Sequence, residues 1–121
     1  AVEHDFFVVA DEIYEQLVYG AAKAYSIASL GEEMKKRTVL INGASKAFAM
    51  TGWRIGYAAC EAPIAKLMSN LQSQATSNAN SVAQYAVEAA LTQQSDDVPM
   101  MVAEFDQRRK CAFLKALLCI P

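Results

Sequence analysis

The chain has 121 residues, 54% of them hydrophobic and 20% charged, a balance that excludes intrinsic disorder and fits one ordinary domain or a piece of a larger one. Lys and Arg total 11 against 13 Asp and Glu, a net charge of −2, so no basic surplus exists to neutralise a nucleic-acid backbone. Cys60, Cys111 and Cys119 stand at no metal-ligand spacing and are odd in number, His4 is the single histidine, and no apolar run approaches a membrane span. Along the chain, Phe6-Phe7-Val8-Val9-Ala10 is a continuous apolar run that predicts a strand covered on both faces, as in a parallel sheet under helices. Asp11-Glu12-Ile13-Tyr14 marks its end. Residues 15–30, with breakers at Gly20 and Gly31, predict a loop with a short helical turn, and the charged run Glu32 to Arg37 predicts a surface turn. Thr38-Val39-Leu40-Ile41 is a second strand ending at Asn42-Gly43, and Arg54 to Cys60 is a third.

Three helices follow. Pro63 suits a first turn, and Ile64, Leu67, Met68 and Leu71 recur at helical spacing. Asn80-Ser81 caps a second helix carrying Val82, Tyr85, Ala86, Ala89 and Ala90. Ser95-Asp96-Asp97 opens a third, with Pro99 in its first turn; Met101, Phe105, Ala112 and Ala116 share a face that Arg108, Arg109 and Lys110 interrupt. The expected class is α/β, and three strands alone leave sheet edges open, which is the mark of part of something bigger. The start at Ala1-Val2-Glu3 without methionine or signal segment, and the apolar finish Leu117-Leu118-Cys119-Ile120-Pro121, give the same expectation of a piece cut from a longer chain. Free cysteines and no visible signal point to the cytoplasm, with an organelle as the alternative if a transit peptide preceded Ala1.

Singly, the polar candidates have ordinary readings: Asp11 as a solvated turn acid, Tyr14 as a half-buried aromatic, Lys46 as a surface amine, Arg54 as an ion-pair partner. Their joint order is more specific. An acid ends the first strand, a phenol lies three residues later, a lysine follows the second strand, and an arginine lies eight residues beyond the lysine. With Asp11-Glu12-Ile13-Tyr14 and the run from Asn42-Gly43-Ala44-Ser45-Lys46 through Ala47-Phe48-Ala49-Met50-Thr51-Gly52-Trp53-Arg54-Ile55-Gly56-Tyr57, the chain resembles the large domain of a fold-type I, pyridoxal-phosphate-dependent aminotransferase of the class I and II superfamily. It is most similar to the bacterial aspartate and aspartate/prephenate aminotransferases of subgroup I-gamma, with residues 1–121 as a partial cofactor-binding domain.

The resemblance implies a role for each group. Asp11 faces the protonated nitrogen of the pyridoxal phosphate ring, whose electron-sink chemistry needs an adjacent carboxylate. Tyr14 donates to the ring's 3′-oxygen. Lys46, an amine with an ordinary pKa of about 10.4, is held as an imine with the cofactor and, once released by substrate, moves the proton between substrate carbon and cofactor. Arg54 clamps the 5′-phosphate with its planar fork, and Ser45 adds a hydroxyl. Many relatives carry a serine three residues before the lysine, where this chain has Gly43, so one hydroxyl contact is missing or replaced. Gly52 and Gly56 are expected where backbone space is tight, Trp53 and Phe48 in packing, and Thr76-Ser77-Asn78 as a helix-linking loop, with a place at a subunit boundary as its alternative.

The implied activity is transamination between an amino acid, aspartate first, and a 2-oxo acid, by a homodimer. These residues alone are expected to be inactive, because the family's substrate-carboxylate arginine and glycine-containing phosphate loop lie outside them. Two alternatives remain at this point: a lyase using the same cofactor, and an aminotransferase-like sensor domain fused to a DNA-binding helix-turn-helix.

Overall fold

The computed structural model describes residues 1–118, and side chains as far as residue 114. The expectations for Ala116 and Cys119 lie outside those described side chains. A three-stranded sheet has the order β1 (Val8–Asp11), β2 (Thr38–Gly43), β3 (Gly56–Ala59). β1 runs parallel to β2, with Val8 opposite Thr38 and Asp11 opposite Ile41. β3 runs antiparallel to β2, with Leu40 opposite Ala59 and Gly43 opposite Gly56.

The connections explain the directions. Residues 12–37 form a crossover long enough to carry the chain back to the start of the sheet, through a 3-10 turn (Ile27–Leu30) and the helix α1 (Glu32–Arg37). Residues 44–55 instead turn at the end of β2, through the single helical turn α2 (Ala44–Ala47) and a 3-10 turn (Thr51–Trp53), and return the chain the other way. Three longer helices follow: α3 (Ala62–Ala75), α4 (Ser81–Thr92) and α5 (Asp97–Leu118). The α/β expectation, three strands with open edges followed by three helices, is what the chain forms. Among the described residues no helix is long and apolar enough to cross a membrane.

Two local expectations are corrected. Glu32 to Arg37 is a helix rather than a turn. Glu32 and Glu33 sit in its first turn and Lys35, Lys36 and Arg37 in its last, complementing the helix dipole at both ends. The Thr38 hydroxyl then donates to the Met34 carbonyl at 2.7 Å and closes the helix against β2. The first strand begins at Val8, and it is not covered on both faces: Val8 and Ala10 are half-buried, whereas Val9 is 73% exposed. An unbroken apolar run specifies that both faces are able to be buried; it does not supply the layer that buries them.

The buried residues are few and lie on β2, α2 and α4. Among the described residues, Thr38, Asn42, Gly43, Ala44, Ala47, Ala83 and Val87 are buried. α4 starts as expected, with the Asn80 carboxamide oxygen accepting from the Ala83 amide at 3.0 Å. Its inward face is Ala83 and Val87, however, while Val82 and Tyr85 point to solvent. The α3 stripe of Leu67, Met68 and Leu71 likewise lies uncovered.

Candidate active site

α2 places two functional side chains by simple helical geometry. Ala44 and Ala47, three residues apart, share the buried face of the turn, so Ser45 and Lys46 between them look outward. Asp11 closes β1, and its carboxylate accepts from the Ile13 amide at 3.2 Å, a local turn that starts the next segment. Two further turns, Glu15 amide to Glu12 carbonyl at 3.0 Å and Leu17 amide to Tyr14 carbonyl at 2.8 Å, set Tyr14 beside α2. The Glu12 carboxylate holds the far end of that segment by accepting from the Ile27 amide at 3.1 Å.

Arg54 is placed differently. Its backbone is left-handed, at φ 53° and ψ 51°, a conformation that costs a non-glycine residue on the order of 1 kcal/mol and aims the chain into β3. Its guanidinium donates to the Thr51 carbonyl at 2.8 Å. Arg54 as a whole is exposed.

The five residues singled out in the sequence fall on two adjoining open clefts. Asp11, Ser45 and Arg54 line one of about 270 Å³, with Asn42, Ile55 and Gly56. Tyr14, Ser45 and Lys46 line the other, of about 430 Å³. Ser45 belongs to both, and so joins them. Within the second cleft the Lys46 Nζ lies 5.5 Å from the Tyr14 ring centre, on its face, a cation–π contact. The lysine and the arginine therefore occupy neighbouring clefts rather than a single one.

Sequence reading missed two walls of the lysine cleft, Met101 and Phe105 of α5, one helical turn apart. Spacing gave no signal for them because they lie far from Lys46 along the chain. α5 is fastened there by Arg109, whose guanidinium carbon stands 5.3 Å from the centre of the Tyr19 ring. On β3, partial burial and the Glu15 carboxylate raise the pKa of the Tyr57 phenol above its ordinary value.

Glycine positions sort unevenly. A Cβ on Gly56 would meet the Asn42 carbonyl at 3.1 Å, in line with the expectation of tight space, but one on Gly52 would meet nothing within 4 Å, which overturns it there. Gly52 lies in an exposed 3-10 turn and is not pressed by its surroundings. Thr76-Ser77-Asn78 is a link between α3 and α4, with Ser77 left-handed at φ 61°.

The chemistry of this donor set fits a phosphorylated aldehyde: one carboxylate, one phenol, one amine, and a hydroxyl with a guanidinium. Comparisons with known proteins give the family. Residues 1–117 match the family described as aminotransferase class I and II. The aspartate aminotransferase of Bacillus subtilis is 47% identical over 116 residues, covering 96% of this chain and 30% of that protein. The aspartate/prephenate aminotransferase of Thermus thermophilus is 43% identical over 122 aligned positions, covering 99% and 31%. Among solved structures, a Pyrococcus protein named protein-A1 superposes with a TM-score of 0.93 at 40% identity, covering 99% of this chain and 31% of its own. An aromatic aminotransferase from Pyrococcus horikoshii gives 0.87 at 43% identity, covering 91% and 30%. The chain thus spans about 30% of the length of the curated relatives it matches. With a family match running through all but the last few residues, the chain belongs to the class I and II aminotransferases.

Proposed function

We propose that this chain is part of the cofactor-binding large domain of a pyridoxal-phosphate-dependent aminotransferase, which moves an amino group between an amino acid and a 2-oxo acid. Aspartate is the first amino acid to test, because relatives named as aspartate aminotransferases are 45–50% identical to this chain. The observation that carries the reading is the pair of clefts joined at Ser45, with acid and guanidinium on one side and phenol and amine on the other.

Each side chain has a task in this reading. Pyridoxal phosphate, when bound, supplies a sink for the electron pair left at the substrate carbon. Asp11 presents a carboxylate to the protonated ring nitrogen and keeps it charged. Tyr14 donates its phenolic hydrogen to the ring oxygen, and Arg54 with Ser45 holds the phosphate. The Lys46 Nζ is the attachment point and, when free, the group that takes and returns the substrate proton. The half-buried setting of Lys46 above α2, with Tyr14 on one side and Phe105 on another, limits the directions from which water reaches it. A homodimer is what the family resemblance implies for the parent, and the free thiols of Cys60 and Cys111 fit a reducing compartment.

The test is product analysis on the full-length chain. Consumption of aspartate that depends on an added 2-oxo acid, and its loss in Lys46→Ala, are expected. Release of ammonia from one amino acid with no acceptor present would instead establish a lyase. The 121 residues alone are expected to show no turnover.

A further inference from the structure

The seam between β2 and β3 has no room for a side chain at residue 43, and we infer that Gly43 is a positioning residue that sets where Arg54 stands relative to Ser45. This rests on the reading of Arg54 and Ser45 as the phosphate ligands. A Cβ on Gly43 would lie 2.9 Å from the Gly56 Cα, 3.0 Å from the Ile55 carbonyl oxygen and 3.3 Å from the Ile13 Cδ1. The first two are backbone atoms and cannot swing aside as a side-chain tip does. Conformation is not the reason for glycine: φ 173° and ψ 177° are extended backbone that any residue adopts. The requirement is space alone.

Gly43 and Gly56 face each other across the ladder. Ser45 lies two residues after the first glycine, and Arg54 two residues before the second. Any group placed at 43 therefore pushes the two strand ends apart, and with them the hydroxyl and the guanidinium. Arg54 has little freedom to swing back and compensate, because its left-handed backbone and its bond to the Thr51 carbonyl fix its base relative to that strand end. A serine at 43 would add a hydroxyl close to the phosphate position, yet it would hold that phosphate less well than glycine does. In the free protein the spread seam relaxes, and closing it again on binding opposes the ligand.

The experiment compares two aldehydes on the full-length chain: pyridoxal phosphate, and pyridoxal, which lacks the phosphate. Gly43→Ala and Gly43→Ser are expected to lose about tenfold in affinity for the first while keeping wild-type affinity for the second. Gly56→Ala, whose added Cβ meets one carbonyl at 3.1 Å, is expected to lose less, about threefold. Gly52→Ala, with nothing within 4 Å, should match the wild type. The inference is overturned if Gly43→Ser binds the phosphate ester as well as glycine does, or if both aldehydes weaken equally, as a general loss of structure would cause. Should neither Gly43 variant fold, Gly56→Ala decides, and an unchanged preference for the phosphate ester overturns the inference. A wild type that binds the two aldehydes equally removes the underlying assignment of Arg54 and Ser45, a different failure from a wild type that is selective and a Gly43 variant that stays so.

Discussion

Arg54 is exposed and combines a left-handed backbone with a planar fork, and both features matter to what it is able to hold. A lysine there would keep the charge but lose the paired N–H groups that match phosphate oxygens. Arg54→Lys in the full-length chain is expected to lower affinity for pyridoxal phosphate by about tenfold, equivalent to about 1.4 kcal/mol, as read by titration. Unchanged affinity would show that the fork is not engaged. At this scale the candidate site is legible as a set of residues, because Asp11, Tyr14, Lys46 and Arg54 carry distinct chemistry at fixed offsets from strand ends and line adjoining clefts. The outward aim of Ser45 and Lys46 also follows from the two alanines that bracket them. Glycine roles are less legible. Gly43, Gly52 and Gly56 look alike in one dimension, and only their neighbours in space show that two are crowded and one is not.

The helices depend on local devices that can be tested separately. Asn80 satisfies an otherwise free amide at the start of α4 by accepting from Ala83, and Asn80→Ala should lower the unfolding free energy by about 1 kcal/mol in urea. No change would mean that α4 is held by packing of Ala83 and Val87 alone. On α5, hydrogen bonds from Lys110 and Arg109 hold the pKa of the Asp106 carboxyl below 3.8. A folded value below the unfolded one means that this contribution is complete above the ordinary carboxylate range and fades as pH falls through the depressed value. Far-ultraviolet circular dichroism should therefore show wild-type helix content falling more steeply below about pH 4 than that of Asp106→Asn, which lacks the contribution throughout. Parallel curves would contradict the assignment. The three strands and the three longer helices were readable from apolar runs and periodicity, to within a few residues at their ends, whereas α2, and above all α1, were not. In α1 six residues without an apolar stripe form a helix through charge placement at its two ends.

Across the molecule, the described burial is confined to small residues, while Leu67, Leu71, Val82 and Tyr85 remain largely open. Helical spacing in α3 and α4 showed which faces favour a covering, but spacing is silent on what provides it. The same limit explains β1, whose Val9 is free on one side although its sequence suits a doubly covered strand. A chain spanning about 30% of its relatives has its lysine and arginine on neighbouring clefts, and the proposed function requires both to serve one cofactor. The most direct measurement treats the full-length chain with pyridoxal phosphate and then borohydride, and maps the modified peptide by mass. The account predicts a phosphopyridoxyl group on Lys46, lost in Lys46→Ala; modification of exposed lysines such as Lys23 or Lys66 with Lys46 left free would contradict it.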